Sequence, residues 1–186
     1  GAIFFDPDEA LLAQLDLADV TYLIGLESDF IVGKLAKAHF DAPSDVPAIR
    51  GILYKKDGVW TKTDFASWET DLDSLPFPDR SLIKNALYVR PDTGEPQATI
   101  ATSRGCPSAC TFCYEWDQYD PRSPSDFLKW RAKSPERVIE EMEVLHKKYG
   151  VKVVVVQDDN FNVNPERVKK FCELKLKKDI PIKWVS

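Results

Sequence analysis

The run Val153-Val154-Val155-Val156 sits between two segments that open alike, Ser134-Pro135-Glu136 and Asn164-Pro165-Glu166, and this arrangement limits the fold more than anything else in the chain. Ser or Asn at a cap, Pro at the first helical position and an acid in the first turn mark helix starts. After the first start, Val138, Met142, Leu145 and Tyr149 recur at the spacing of one helix face, and Gly150 closes it. After the second, Val168, Phe171 and Cys172 share a face. The stretch from Val151 to Val156 is apolar throughout, as in a strand covered on both faces of a parallel sheet. Ala98-Thr99-Ile100-Ala101-Thr102 and Ile180-Pro181-Ile182-Lys183-Trp184-Val185 are the strand candidates on either side. The order strand, loop, helix, strand, helix, strand predicts an α/β fold with a parallel sheet and right-handed crossovers. Functional loops of such sheets gather at the carboxyl ends of the strands. The loop after Thr102 and the loop Gln157-Asp158-Asp159-Asn160-Phe161 are therefore expected on one rim.

The first half of the chain follows a different pattern. Asp8-Glu9-Ala10-Leu11-Leu12-Ala13-Gln14-Leu15 reads as a helix, Val20-Thr21-Tyr22-Leu23-Ile24 as a strand ending at Gly25, and Phe30-Ile31-Val32-Gly33-Lys34-Leu35-Ala36-Lys37 as a second helix. Asp57-Gly58 between strand-like runs spanning residues 49–60 is a hairpin signal. Pro76 and Pro78 break regular structure and mark a linker. Charge divides along the same line: 9 basic against 17 acidic residues through position 95, and 16 against 13 beyond it. Neither part is basic enough to predict a nucleic-acid surface. The longest apolar run is far short of the about 20 residues that cross a bilayer. The first residues lack the basic and apolar regions of a secretory signal, so a cytoplasmic location is expected.

The four cysteines are Cys106, Cys110, Cys113 and Cys172, and three of them fall in one loop as Cys106-x-x-x-Cys110-x-x-Cys113. In a cytoplasmic chain such a grouping points to a metal or redox site rather than to a disulfide framework. Zinc requires a fourth ligand for a closed site, and neither His39 nor His146 is near in sequence. Three thiolates instead suit three irons of a 4Fe-4S cluster, leaving one iron open to an exogenous ligand. Zinc and iron both remain readings of the spacing alone.

The segment Thr102-Ser103-Arg104-Gly105-Cys106-Pro107-Ser108-Ala109-Cys110-Thr111-Phe112-Cys113 resembles the cluster-binding loop of the radical S-adenosylmethionine superfamily. The resemblance implies that Cys106, Cys110 and Cys113 hold a 4Fe-4S cluster whose open iron is chelated by S-adenosylmethionine, with Phe112 packed near the adenine. It implies reductive cleavage of the sulfonium to methionine and a 5′-deoxyadenosyl radical, driven by a reductase or flavodoxin-type donor, on a small-molecule or peptide substrate. Asp158-Asp159-Asn160-Phe161 is similar to the variant, found in the cobalamin-binding branch, of the element that holds the amino group of S-adenosylmethionine, which points to Asp158 or Asp159. A carboxylate facing an ammonium suits that role.

Leu17-Ala18-Asp19-Val20-Thr21-Tyr22-Leu23-Ile24-Gly25-Leu26-Glu27-Ser28 resembles the end of that branch's Rossmann-like cobalamin-binding domain, Leu75-Pro76-Phe77-Pro78-Asp79-Arg80 its linker, and residues 130–136 the entry to the first barrel helix. The expected organisation is thus the end of a Rossmann-like domain and a hairpin over 1–70, a linker over 71–94, and the first half of a TIM-like (β/α) barrel over 95–186. The branch's barrel has six strand-helix units, so a portion of a longer enzyme is expected, with cobalamin-dependent methyl transfer to an unactivated carbon as its reaction, and with cobalamin-free ring formation or rearrangement, or a non-enzymatic zinc-binding module, as the alternatives. The branch's Asp-x-His-x-x-Gly element has no match at His39 or His146, so cobalamin is implied by the family alone.

Blander roles stand beside these. Cys172 reads as a small buried hydrophobe. Asp158 and Asp159 also suit a strand end preceding a helix. Phe112 could fill a core, Tyr114, Trp116, Tyr119 and Trp130 could pack beneath a long loop or line a pocket, and Glu27 reads as a surface turn acid.

Overall fold

The computed structural model describes residues 10, 12, 17–25, 27–64, 66, 69–108, 110–113 and 130–186. The helix expected over 8–15 lies largely outside the described residues, as do Tyr114, Trp116 and Tyr119. The chain divides into two compact units, 1–69 and 70–186, and the segment expected as a linker belongs to the second.

In the first unit, β1 (Tyr22–Ile24), β2 (Ile52–Lys56) and β3 (Val59–Lys62) form an antiparallel sheet in the order β1-β2-β3. The turn from β2 to β3 has positive φ at both Asp57 (52°) and Gly58 (80°). That is the mirror-image turn whose twist matches the flanking strands, which is why Asp-Gly serves there. Helix α1 (Asp29–Asp41) buries Ile31, Leu35 and Ala38 against Val46 and Ile52. His39 meets the hydroxyl of Tyr22 at 2.8 Å, an ordinary local contact.

The second unit carries the alternating elements. Strands β4 (Gln97–Ile100), β7 (Val153–Val156) and β8 (Lys183–Val185) form a parallel sheet in the order β4-β7-β8. Between β4 and β7 in sequence lie a two-residue antiparallel ribbon, β5 (Ser103–Arg104) with β6 (Arg131–Ala132), and helix α2 (Pro135–Tyr149). Helix α3 (Pro165–Lys178) connects β7 to β8. Both helices start as their sequences require: the Ser134 hydroxyl accepts the Arg137 N–H at 3.1 Å, and the Asn164 side-chain carbonyl accepts the Arg167 N–H at 3.0 Å. At the end of α2, Gly150 takes φ 67°, and the Val151 N–H donates back to the Leu145 carbonyl at 3.1 Å. The Gly150 N–H itself donates to the His146 carbonyl at 3.1 Å, the five-to-one bond of an αL helix ending, where a Cβ would be strained.

The core lies where the helices cover the sheet. Val138, Met142 and Leu145 on α2 are at most 2% exposed, and they pack with Val154, Phe171 and Ile182. Truncating one of the larger of these to Ala is expected to destabilise by about 2–5 kcal/mol. Cys172 packs at the margin of this core, in agreement with its reading as a small hydrophobe. Phe161, Phe171 and Trp184 form an aromatic cluster with centroids 5.2–6.0 Å apart.

The Pro-rich segment is held rather than loose. Asp73 accepts the Ser134 N–H at 2.8 Å, and Arg137 donates to the Leu75 carbonyl at 2.8 Å while its guanidinium lies 3.6 Å over the Phe77 ring. Farther on, the outer side of β4 is covered without a strand: Gln97 N–H donates to the Tyr88 carbonyl at 2.9 Å, Arg80 donates to the Thr99 carbonyl at 2.7 Å, and Val89 bridges Pro96.

Candidate functional site

Parallel pairing of Gln97–Ile100 with Val153–Val156 brings Ile100 and Val156 level at their carboxyl ends. The Gln157 N–H donates to the Ile100 carbonyl at 2.9 Å, so the loops leaving β4 and β7 start as neighbours. The expected rim therefore exists, and its two loops are hydrogen-bonded to each other.

Asp158 is the main tie. One carboxylate oxygen accepts the Thr102 backbone N–H at 2.6 Å, and the other accepts the hydroxyls of Thr102 at 2.6 Å and Ser103 at 2.7 Å. Thr102 is fully buried and Ser103 is 3% exposed, so these donors depend on the carboxylate instead of water. On the opposite side of the same residue, the Thr102 carbonyl accepts the Lys133 N–H at 2.9 Å and Arg167 Nη2 at 3.0 Å. Arg167 Nε also donates to the Lys133 carbonyl at 3.0 Å. Thr102 and Lys133 are the two roots of the cysteine-bearing loop, and the β5–β6 ribbon closes the stem just beyond them. Burial pushes the Arg167 guanidinium below its usual pKa, while the charges of Asp158 and Asp73 push the other way. The guanidinium also lies 5.7 Å from the Phe161 ring centre and 5.9 Å from that of Trp130. Lys133 makes a second tie, a 2.8 Å ion pair to Glu141 of α2, with the side chains 13% and 3% exposed.

Asp159 points the other way. It is exposed, and one of its oxygens accepts the Gly105 N–H at 3.1 Å. Gly105 takes φ 79°, the left-handed turn that carries the chain from β5 towards Cys106. Asn160 follows, with its side-chain carbonyl accepting the Asn162 N–H at 3.1 Å and its amide nitrogen 3.9 Å from the sulfur of Cys106. Phe161, 6% exposed, anchors this loop in the core.

Cys106 and Cys113 are half-buried, Cys110 is exposed, and none of the three is in a disulfide. The Cys113 N–H donates to the Cys110 carbonyl at 2.9 Å, a turn that puts both on one short bend. Among the described residues, no three His, Cys, Asp or Glu side chains converge on a point that a metal ion could occupy. Phe112 is 92% exposed beside them. The donor set suits an iron-sulfur cluster with one open iron: three thiols on a rim loop, and a fourth cysteine, Cys172, occupied in the core.

The structure therefore brings Asp158, Asp159 and Cys106 to one rim, while the three sulfurs remain separate. Thr102, Ser103 and Arg167 carry no role in the sequence reading. Their available signal is position, since the start of α3 must lie at the carboxyl end of β7.

Comparison with known proteins gives the family and the fold. The profile of the Radical SAM superfamily matches residues 100–186. An uncharacterized methyltransferase of Pyrococcus horikoshii is 33% identical over 143 residues, 76% of this chain and 29% of that protein. The anaerobic magnesium-protoporphyrin IX monomethyl ester cyclase of Rubrivivax gelatinosus is 27% identical over 142 residues, 76% of this chain and 24% of the cyclase. The chain thus spans less than a third of the length of either relative. Among solved structures, the cobalamin-dependent S-adenosylmethionine radical enzyme OxsB, with aqua-cobalamin and S-adenosylmethionine bound, superposes with a TM-score of 0.67 at 20% identity, covering 99% of this chain and 24% of that one. The radical S-adenosylmethionine methyltransferase TsrM of Kitasatospora setae gives 0.58 at 17% identity, covering 88% and 32%. At such identities the likeness establishes the fold, a partial α/β barrel.

Proposed function

From the membership of this chain in the radical S-adenosylmethionine superfamily, we propose that its rim holds a 4Fe-4S cluster on Cys106, Cys110 and Cys113 and binds S-adenosylmethionine beside it. The observation that carries this reading is the junction of the two loops, in which the acidic loop after β7 is hydrogen-bonded to the backbone immediately before the first cysteine. When bound, the cluster supplies the electron that cleaves S-adenosylmethionine to methionine and a 5′-deoxyadenosyl radical.

The protein's part is placement. Asp158 uses both oxygens on Thr102 and Ser103, so it fixes the loop root. Asp159, exposed at the rim, is the carboxylate we assign to the ammonium of S-adenosylmethionine. Phe112, the exposed aromatic between the last two cysteines, is assigned to the adenine. The electron comes from an external reductase or flavodoxin-type donor. For the whole enzyme, the methyltransferase names among the relatives and the cobalamin in both structural neighbours support cobalamin-dependent methyl transfer to an unactivated carbon of a small-molecule or peptide substrate. Ring formation is the second reading, favoured by the relatives named as cyclases.

The test is anaerobic reconstitution with iron and sulfide, followed by electron paramagnetic resonance of the reduced protein with and without S-adenosylmethionine, beside a Cys110→Ala control. The expected result is a 4Fe-4S signal that shifts with S-adenosylmethionine and is absent from the control. A colourless protein that retains zinc would overturn the proposal.

A further inference from the structure

The amide of Asn160 has a fixed orientation. Its carbonyl oxygen accepts the Asn162 N–H at 3.1 Å in a tight Asx turn, so the amide nitrogen must occupy the other branch, 3.9 Å from the Cys106 sulfur. The turn is itself held at both ends, by Asp158 and Asp159 on the residues before Cys106 and by Phe161, 6% exposed in the core. The donor is thus positioned by the β7 loop, whose own Asx turn and ties to the root of the cysteine loop hold it facing the sulfur.

We infer that Asn160 is a tuning residue, whose side-chain N–H donates to the Cys106 thiolate and raises the reduction potential of the cluster. The inference rests on the reading that Cys106 is a cluster ligand. One electron from an external low-potential donor reduces the cluster, and the added negative charge is shared with the ligating sulfurs. A hydrogen bond to such a sulfur stabilises the reduced form more than the oxidised one, because its strength grows with the charge on the acceptor. Outer partners of metal ligands adjust the metal in this way without binding it.

Asn160→Ser provides the test, since a serine hydroxyl supports the same turn but is too short to reach the sulfur. Asn160→Asp keeps the turn acceptor and replaces the donor by a negative charge. Both variants and the parent chain would be reconstituted anaerobically, assayed for iron and sulfide, and titrated with dithionite under electron paramagnetic resonance.

The expected result is equal iron content with a lower midpoint potential in Asn160→Ser, equivalent to about tenfold in the one-electron equilibrium or ~59 mV, and a still lower one in Asn160→Asp. Equal midpoints at equal iron content would overturn the inference while leaving the cluster reading intact. Loss of iron from Asn160→Ser alone would also overturn it, because a donor to an already ligated sulfur governs potential rather than occupancy. A parent chain that takes up no iron would remove the cluster reading and the inference together.

Discussion

Asp158 and Arg167 grip Thr102 from opposite sides, the carboxylate taking its N–H and hydroxyl while the guanidinium donates to its carbonyl. No polar group of this buried residue is left to solvent, and the two charged partners come from the end of one strand and the first turn of the next helix. Asp158→Asn keeps the shape but offers one acceptor to three donors. A loss of about 1–3 kcal/mol is expected from unpaired buried donors, read as a lower urea midpoint. An unchanged midpoint would show that water replaces the carboxylate.

Arg167→Lys is predicted to be non-conservative. The planar guanidinium spans two carbonyls, those of Thr102 and Lys133, with separate nitrogens, and a single ammonium cannot reproduce that fork. The urea midpoint should fall for Arg167→Lys nearly as far as for Arg167→Met. A lysine variant of parental stability would reduce the role of Arg167 to that of a point charge.

Lys133 and Glu141 form a largely buried pair. Removing either partner alone leaves an uncompensated charge, with an expected penalty of about 3–5 kcal/mol. Replacing both, as Lys133→Met with Glu141→Leu, should recover most of the loss. A double-mutant cycle by chemical denaturation measures both effects, and additive losses would contradict the pairing.

Cysteine substitutions should sort by position. Ser at Cys106, Cys110 or Cys113 is expected to abolish iron uptake with little change in folding, whereas Cys172→Ser is expected to retain full iron and lower the unfolding midpoint, because it introduces a hydroxyl beside the core. Iron analysis paired with thermal unfolding separates the two classes. Iron loss in Cys172→Ser would bring that residue into the site.

The sheet base has a pH signature. Hydrogen bonding from Lys183 holds the Glu95 carboxyl below its usual value of 4.5, and hydrogen bonding from Arg90 lowers Asp92 to about 2. A carboxyl with a lowered folded pKa adds stability above its unfolded value and loses it as pH falls through the folded one. Stability should therefore decline from pH about 4.5 towards about 2, by a modest amount because Asp92 is exposed and Glu95 is only half-buried. Lys183→Met should remove the Glu95 share and return its carboxyl titration, followed by NMR, to the ordinary range.

The alternation of elements in the second unit is legible in the sequence because its signals are local. Ser134, Gly150 and Asn164 cap the helices that their positions imply, and the Val153–Val156 run lies in the interior of a parallel sheet. The division of labour between Asp158 and Asp159 is not legible in this way. Successive residues leaving a strand face opposite ways, and which one meets Thr102 depends on the register of strands 56 residues apart. The role of Arg167 is hidden for a similar reason, since its partner lies 65 residues away. Asn160 belongs to the Asp158-Asp159-Asn160-Phe161 motif, yet its orientation follows only from the turn it makes with Asn162.

The covering of β4 by residues 80–96 sets a direction of growth for the sheet. Along that flank, the outward-facing Gln97 N–H and Thr99 carbonyl are already occupied by Tyr88 and Arg80. An intruding strand would have to strip away an ordered hairpin before pairing a single residue. Further strands can therefore be recruited through β8, and misassembly through β4 is blocked by the same segment that leads the chain into the barrel.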